Sequence, residues 1–200
     1  MKKLNFKYYY ENKKIINPLL VLAGLIVLLV VIYLKVKNRP SHFAKKFIGQ
    51  EETGNNQGFF NKSFENLMYD AGWRPGYQWC AFFTKMIWQK TLKPKHRKIA
   101  RKIMTGSTQI NFERFKKYGK GYFKISQKPR KNALVIWQSK KDPSRGHTGL
   151  ITKVNILDGS FETIEGNSNK GGSQGIVSKQ KYSKGGSPAG MRLKGFIIPV

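Results

Sequence analysis

One cysteine, Cys80, stands in 200 residues, so no intramolecular disulfide is available and no oxidised framework holds the chain together. That is compatible with either side of a membrane. Acidic residues are scarce too: 10 Asp and Glu face 38 Lys and Arg, for a formal net charge of +28. The carboxylates are not clustered. The three histidines, His42, His96 and His147, form no i, i+4 pair. Without those patterns or a second cysteine, no metal site is expected. No phosphate-binding glycine loop is present, so no cofactor is expected either. What is there is 40% hydrophobic and 13% aromatic, enough for a packed core under a basic surface. Such a field attracts polyanions, whether nucleic acid, anionic lipid or the anionic polymers of a bacterial wall, and says little about fold.

Charge is missing altogether from one long run. Pro18 to Leu34, PLLVLAGLIVLLVVIYL, holds 17 uncharged residues, and counting from Ile15 the stretch reaches 20. That is enough to cross a bilayer as a helix. Tyr8, Tyr9, Tyr10 and Tyr33 stand near the expected interfaces. No small-x-small cleavage site follows, since the next residues are Lys35-Val36-Lys37-Asn38-Arg39, and no cysteine follows Leu22-Ala23-Gly24 for lipid attachment. The expected organisation is a basic tail over 1–17, an uncleaved single-pass membrane anchor over 18–34, a basic linker over 35–47 and a folded domain over 48–200. The flanks are both basic, net +4 over 1–17 and +5 over 35–49, so charge does not decide the orientation. The folded domain is placed on the outer (periplasmic or extracellular) face from its expected function, which that placement therefore cannot support.

Within 48–200 helical spacing comes first and strand character after. Phe60, Phe64, Leu67, Met68 and Ala71 recur at helical intervals, predicting a helix over 59–71. After the turn Gly72–Gly76, a buried helix is predicted over 79–92, ended by Pro94. Lys93 to Lys102 carries six basic residues and His96, an exposed basic helix with a solvated face or a polyanion contact. Residues 111–118 form a short amphipathic element. Short β-branched or aromatic runs then follow at 134–137, 148–154, 161–165, 176–182 and 193–200, separated by Gly, Pro and Asn. Lys170–Ser173 and Lys184–Ser187 read as turns, and Glu51-Glu52 as a charged surface turn. Helices followed by strands imply an α+β domain.

Cys80 lies where the turn Gly76-Tyr77-Gln78-Trp79 gives way to the second helix. A thiol at a helix N-terminus meets the positive end of the dipole, which favours the thiolate. Nucleophilic acyl transfer needs that thiolate, a base and a group that orients the base. His42 lies in the linker and His96 in the basic run, which leaves His147, opening a strand after Gly146, as the base. Glu165 and Asn167 are two apart in an extended run and share a side, so either can accept from the imidazole. The backbone N–H of Cys80, with the Gln78 side chain as a weaker candidate, would form the oxyanion hole.

These segments, in their order, resemble the CHAP group (cysteine, histidine-dependent amidohydrolases/peptidases) of the NlpC-like, papain-related superfamily. The resemblance is carried by Glu52-Thr53-Gly54-Asn55-Asn56, by Gly76 to Phe83, by Ala133 to Trp137, by Gly146 to Ile151 and by Thr163 to Asn167. It implies a papain-like α+β fold, with N-terminal helices packed on an antiparallel sheet, and hydrolysis of amide bonds in peptidoglycan. Cys80 would be the nucleophile, His147 the base and Glu165 the orienter, with Asn167 assisting or replacing it. Where the family enters the strand before the histidine through Gly-Asp, this chain has Lys131-Asn132-Ala133. The expected partners are peptidoglycan, wall polyanions or anionic lipid for the basic surface, and the membrane; nucleic acid is not expected. The rival enzymes are a phage or mobile-element lysin and an antibacterial toxin of the same chemistry. The rival of another class is a non-catalytic, membrane-anchored basic module, with Phe112, Phe115, Tyr118, Tyr122 and Phe123 available to stack on bases.

Overall fold

A computed structural model describes residues 18–37, 39–169 and 175–200. The basic tail 1–17 and the turn Lys170–Ser173 lie outside the described residues. The chain divides into two units, Met1–Lys37 and Asn38–Val200. The first contributes one helix, α1 (Pro18–Lys37). Its described side chains, from Leu19 to Val31, are apolar or glycine and exposed. Among the described residues no helix is long and apolar enough to cross a membrane, so the structure does not support the expected transmembrane anchor.

The second unit opens with α2 (Pro40–Ala44) and a 3-10 turn, Lys45–Phe47. Pro40, Ser41 and Ala44 are buried, and Phe43 and Phe47 pack on the core. The packed unit therefore takes in much of the segment the sequence assigned to a linker. Four helices follow: α3 (Lys62–Asp70), α4 (Cys80–Thr91), α5 (Pro94–Ile103) and α6 (Thr108–Tyr118). Their starts have local causes. The Asn61 side chain accepts from the Phe64 N–H at 3.1 Å, and Ser107 accepts from Ile110 N–H at 3.3 Å. Pro94, which cannot continue α4, opens α5 at a position where its missing N–H costs nothing. The Ser107 cap starts α6 three residues before the amphipathic pattern suggests.

Six strands then form one antiparallel sheet: β1 (Phe123–Ser126), β2 (Leu134–Ser139), β3 (Gly146–Val154), β4 (Phe161–Asn169), β5 (Gly175–Tyr182) and β6 (Met191–Pro199). Their spatial order is β1-β6-β2-β3-β4-β5. This is an α+β architecture compatible with a CHAP fold. Alternate residues serve opposite faces. Leu134, Ile136, Leu150 and Ile164 join the helices in the main core, while Val135, Trp137, Ile151 and Phe196 form a second cluster. Phe112, Phe115 and Phe123, considered above for base stacking, are buried in the main core.

α4 is the central helix. Trp88 is fully buried, with its ring 5.8 Å from Phe115 and 5.4 Å from Phe123, and its indole N–H donates to the Asn132 carbonyl at 3.3 Å. Trp88→Ala should lower stability by about 3–5 kcal/mol. In urea this would read as a fall in the transition midpoint with an unchanged slope.

Candidate active site

Cys80 is the first residue of α4 and is 6% exposed. Its N-cap, Trp79, offers no side chain to the first turn, so the helix amides that lack intrahelical acceptors stay uncapped there. Trp79 is held instead by its indole. The ring N–H donates to Glu52 Oε2 at 2.5 Å, and the ring meets Phe59 edge-on at 5.0 Å. Glu52 is 1% exposed, which corrects the reading of Glu51-Glu52 as a surface turn. The cause is the turn that follows. Gly54, Asn55 and Asn56 take left-handed φ of 116°, 51° and 56°, and fold the chain so that Asn56 N–H also reaches Glu52, at 3.4 Å.

His147 is the second residue of β3, where it faces Trp137 of β2 across the ladder. Gly146 before it must be glycine, because a Cβ there would lie 2.1 Å from the Gln109 amide and 2.2 Å from the Trp137 carbonyl. The imidazole is 12% exposed and stacks on Trp137 at 5.8 Å with 16° between planes. Its Nε2 lies 2.8 Å from Glu165 Oε2, and Cys80 is close enough to bear on its pKa. With Nε2 on the carboxylate, Nδ1 is the nitrogen left for the sulfur. Burial alone would depress the imidazolium. The hydrogen bonds and charges of Cys80 and Glu165 outweigh it, and the His147 pKa is pushed up from 6.5 to about 10.

Glu165, on β4, is 2% exposed. Its other oxygen, Oε1, accepts from the Thr163 hydroxyl, and Tyr182 on β5 is close enough to feel its charge. Burial, and then the Glu165 charge, raise the Tyr182 pKa. Gly149 lets the carboxylate stem cross β3, since a Cβ there would lie 2.6 Å from Glu165 Cγ. Gly166 seats β4 against α4, where a Cβ would lie 2.6 Å from the Trp79 ring and 2.7 Å from Phe83.

Asn167 does not join His147. The β4–β5 register shifts between Glu165 and Ser168, and Asn167 has a φ of 57°. That bulge breaks the alternation that would have put both side chains on one side. The Asn167 amide instead donates to Gln78 Oε1 at 3.3 Å. Gln78 and Cys80 line a cleft of about 460 Å³ with Ser107, Thr108, Arg145 and Met191. His96 is remote in role as well as sequence: its Nε2 meets the Val200 carbonyl at 2.6 Å.

Two supports for Glu165 escape a reading of the sequence. Thr163 is legible in principle, being two residues from Glu165 on one strand. Tyr182 is not, because its place depends on the β4–β5 register.

A cysteine, an imidazole and a buried carboxylate in line at a helix N-terminus have the arrangement of a thiol hydrolase. The CHAP domain family matches residues 72–167, just under half of the chain and inclusive of all three. The match supports a place in the CHAP group of the NlpC/papain-like superfamily. It suggests a hydrolase of the amidase or peptidase type with peptidoglycan as substrate. No curated protein and no solved structure matches the chain.

The raised imidazole has a pH signature. Below pH 6.5 the ring is protonated in folded and unfolded chains alike, and the stabilisation its raised pKa represents is fully present. As pH climbs toward about 10 the contribution fades, because the unfolded chain gives up its proton first. In Glu165→Gln the His147 pKa should fall from about 10 toward its ordinary 6.5, read by NMR titration of labelled histidine. An unmoved titration would mean that the carboxylate does not hold the charge.

Proposed function

We propose that the chain is a cysteine hydrolase that cleaves an amide bond of peptidoglycan, either the N-acetylmuramoyl–L-alanine bond or one within the stem peptide or cross-bridge. The observation that carries this reading is His147 bonded to the buried Glu165, with Cys80 the neighbour that helps to raise its pKa, inside the span the CHAP family matches.

Cys80 is the nucleophile, His147 the acid and base, and Glu165 the orienting carboxylate. With its pKa pushed up to about 10, His147 holds its proton at neutral pH, and the sulfur attacks the amide carbon as the thiolate partner of that imidazolium, from the N-terminus of α4. The carbonyl oxygen becomes an oxyanion facing the backbone N–H of Cys80. Gln78 can supply a second donor, since Asn167 occupies its Oε1 and leaves Nε2 free for the cleft. Collapse expels the amine, which takes the proton from the imidazolium, and a thioester remains. Water, deprotonated by His147, attacks the thioester carbon, and release of the acid leaves the thiolate beside the imidazolium once more. Asn167 positions Gln78 in this scheme and does not touch the imidazole.

The test is cleavage of purified peptidoglycan by the full chain, with new termini identified by mass spectrometry. Cys80→Ala should release nothing above background. Glu165→Gln should lose about a hundredfold or more in rate, the scale of acid–base catalysis. Asn167→Ala should lose only a few-fold. Equal, mild losses at 165 and 167 would remove the three-residue scheme. Polymer binding without cleavage, unaffected by Cys80→Ala, would leave the chain a non-catalytic basic module.

The same reading keeps 18–34 as a single-pass anchor with the catalytic unit on the outer face. Its support is the uncharged sequence of Pro18 to Leu34. The full chain should remain in the membrane pellet after an alkaline carbonate wash, and a chain lacking 18–34 should leave it. Release of both would dispose of the anchor.

A further inference from the structure

Helix α5 is built against its own electrostatics. Lys95, Arg97, Lys98, Arg101 and Lys102 lie within it, Lys93 caps it, and no acid is present. Cations three and four residues apart repel along a helix face. Lys93 and Lys95 also sit at the end where the dipole disfavours positive charge. The inner side is tied down: Ala100 and Ile103 are buried, Ile99 packs on the core, and Arg97 turns back to the Leu92 carbonyl at 3.0 Å. The outer side is not. Lys95, Lys98, Arg101 and Lys102 are exposed, and none has an ion-pair partner among the described residues. Four unneutralised cations are thus fixed on a packed helix in a row about 10 Å long, at 1.5 Å per residue.

We propose that this outer face of α5 is a docking strip for a phosphodiester-linked polymer of the cell wall, a polyol phosphate chain. A row of fixed cations complements regularly spaced phosphates, and binding would release the counterions that both carry. The strip has no aromatic side chain, and its apolar residues turn inward, so it lacks the stacking platform that single-stranded nucleic acids use. It also adjoins the cleft. α5 packs on α4, which begins with Cys80, and the chain leaving α5 runs directly into Gly106, Ser107 and Thr108 of the cleft wall. A polymer held on α5 therefore keeps the cleft beside the wall to which that polymer is bound. Only the identity of the polymer rests on the hydrolase reading; the strip itself is independent of the chemistry at Cys80.

The experiment measures binding of the full chain carrying Cys80→Ala, in mild detergent, to immobilised poly(glycerol phosphate) across a salt series. The strip variant adds Lys95→Gln, Lys98→Gln, Arg101→Gln and Lys102→Gln. The control instead adds Lys131→Gln, Lys153→Gln, Lys181→Gln and Lys184→Gln, which removes the same charge from exposed sites off the strip. The strip variant should bind at least about tenfold more weakly, with a log–log salt slope shallower by about 3, as expected for four lost phosphate contacts. The control should stay close to the parent, and circular dichroism should be the same for all three.

Equal losses in both variants would overturn the strip in favour of diffuse charge. A loss confined to phosphatidylglycerol vesicles would assign the face to lipid, and one confined to duplex DNA would assign it to nucleic acid; either result overturns the proposal. With Cys80 intact, peptidoglycan stripped of its polymer should be cleaved equally with and without the strip changes. If neither form cleaves it while the strip still binds polymer, the hydrolase reading fails and the strip stands.

Discussion

Glu165 is an ionised side chain at 2% exposure, and such a group is costly to bury unless it is paired and hydrogen-bonded. Thr163 and His147 hydrogen-bond it, from its own strand and from β3, and Tyr182 neighbours it from β5. The cost of burying the charge is thereby offset, and the charge is turned toward one nitrogen. The consequence runs outward. A fixed carboxylate fixes Nε2, the stacked Trp137 fixes the ring plane, and the remaining nitrogen is left for sulfur. The register of three strands, β3 to β5, is therefore what sets the chemistry of a side chain on a helix.

The helix is held from the other side by equally specific means. Nothing caps α4 through the side chain at its N-cap, so the first-turn amides take no acceptor from that residue. Order at that end comes from Trp79, pinned by Glu52 and set within a cluster of rings. Gly166 then permits β4 to approach Trp79 and Phe83 closely enough for strand and helix to share a site. A pair of buried carboxylates thus does two different jobs: Glu52 places the nucleophile's neighbour, and Glu165 places the base.

Much of this was legible in the residues. Periodicity locates α3 and α4, and Pro94 ends α4 where the sequence says it should. The lone cysteine at a turn–helix boundary and the histidine after Gly146 are separated by 66 positions, yet each carries its own local signal. What could not be read depends on distant pairing or local backbone twist. Strand alternation makes Glu165 and Asn167 equivalent, and only the bulge and the left-handed φ of Asn167 separate them. Glu52 looks like a surface charge until the Asn55-Asn56 turn folds it inward. The aromatics at 112, 115 and 123 look alike as binding or core residues until the sheet covers them. The basic tail over 1–17 lies outside the described residues and remains a statement of sequence.

Gly149 on β3 and Gly166 within β4 give that strand a close fit on two sides, one under the stem of Glu165 and the other against α4. With no slack in either direction, added bulk at either glycine would lever strand from helix or stem from strand. Two missing side chains, neither of which could take part in any chemistry, thus set the distance over which the chemistry would have to act.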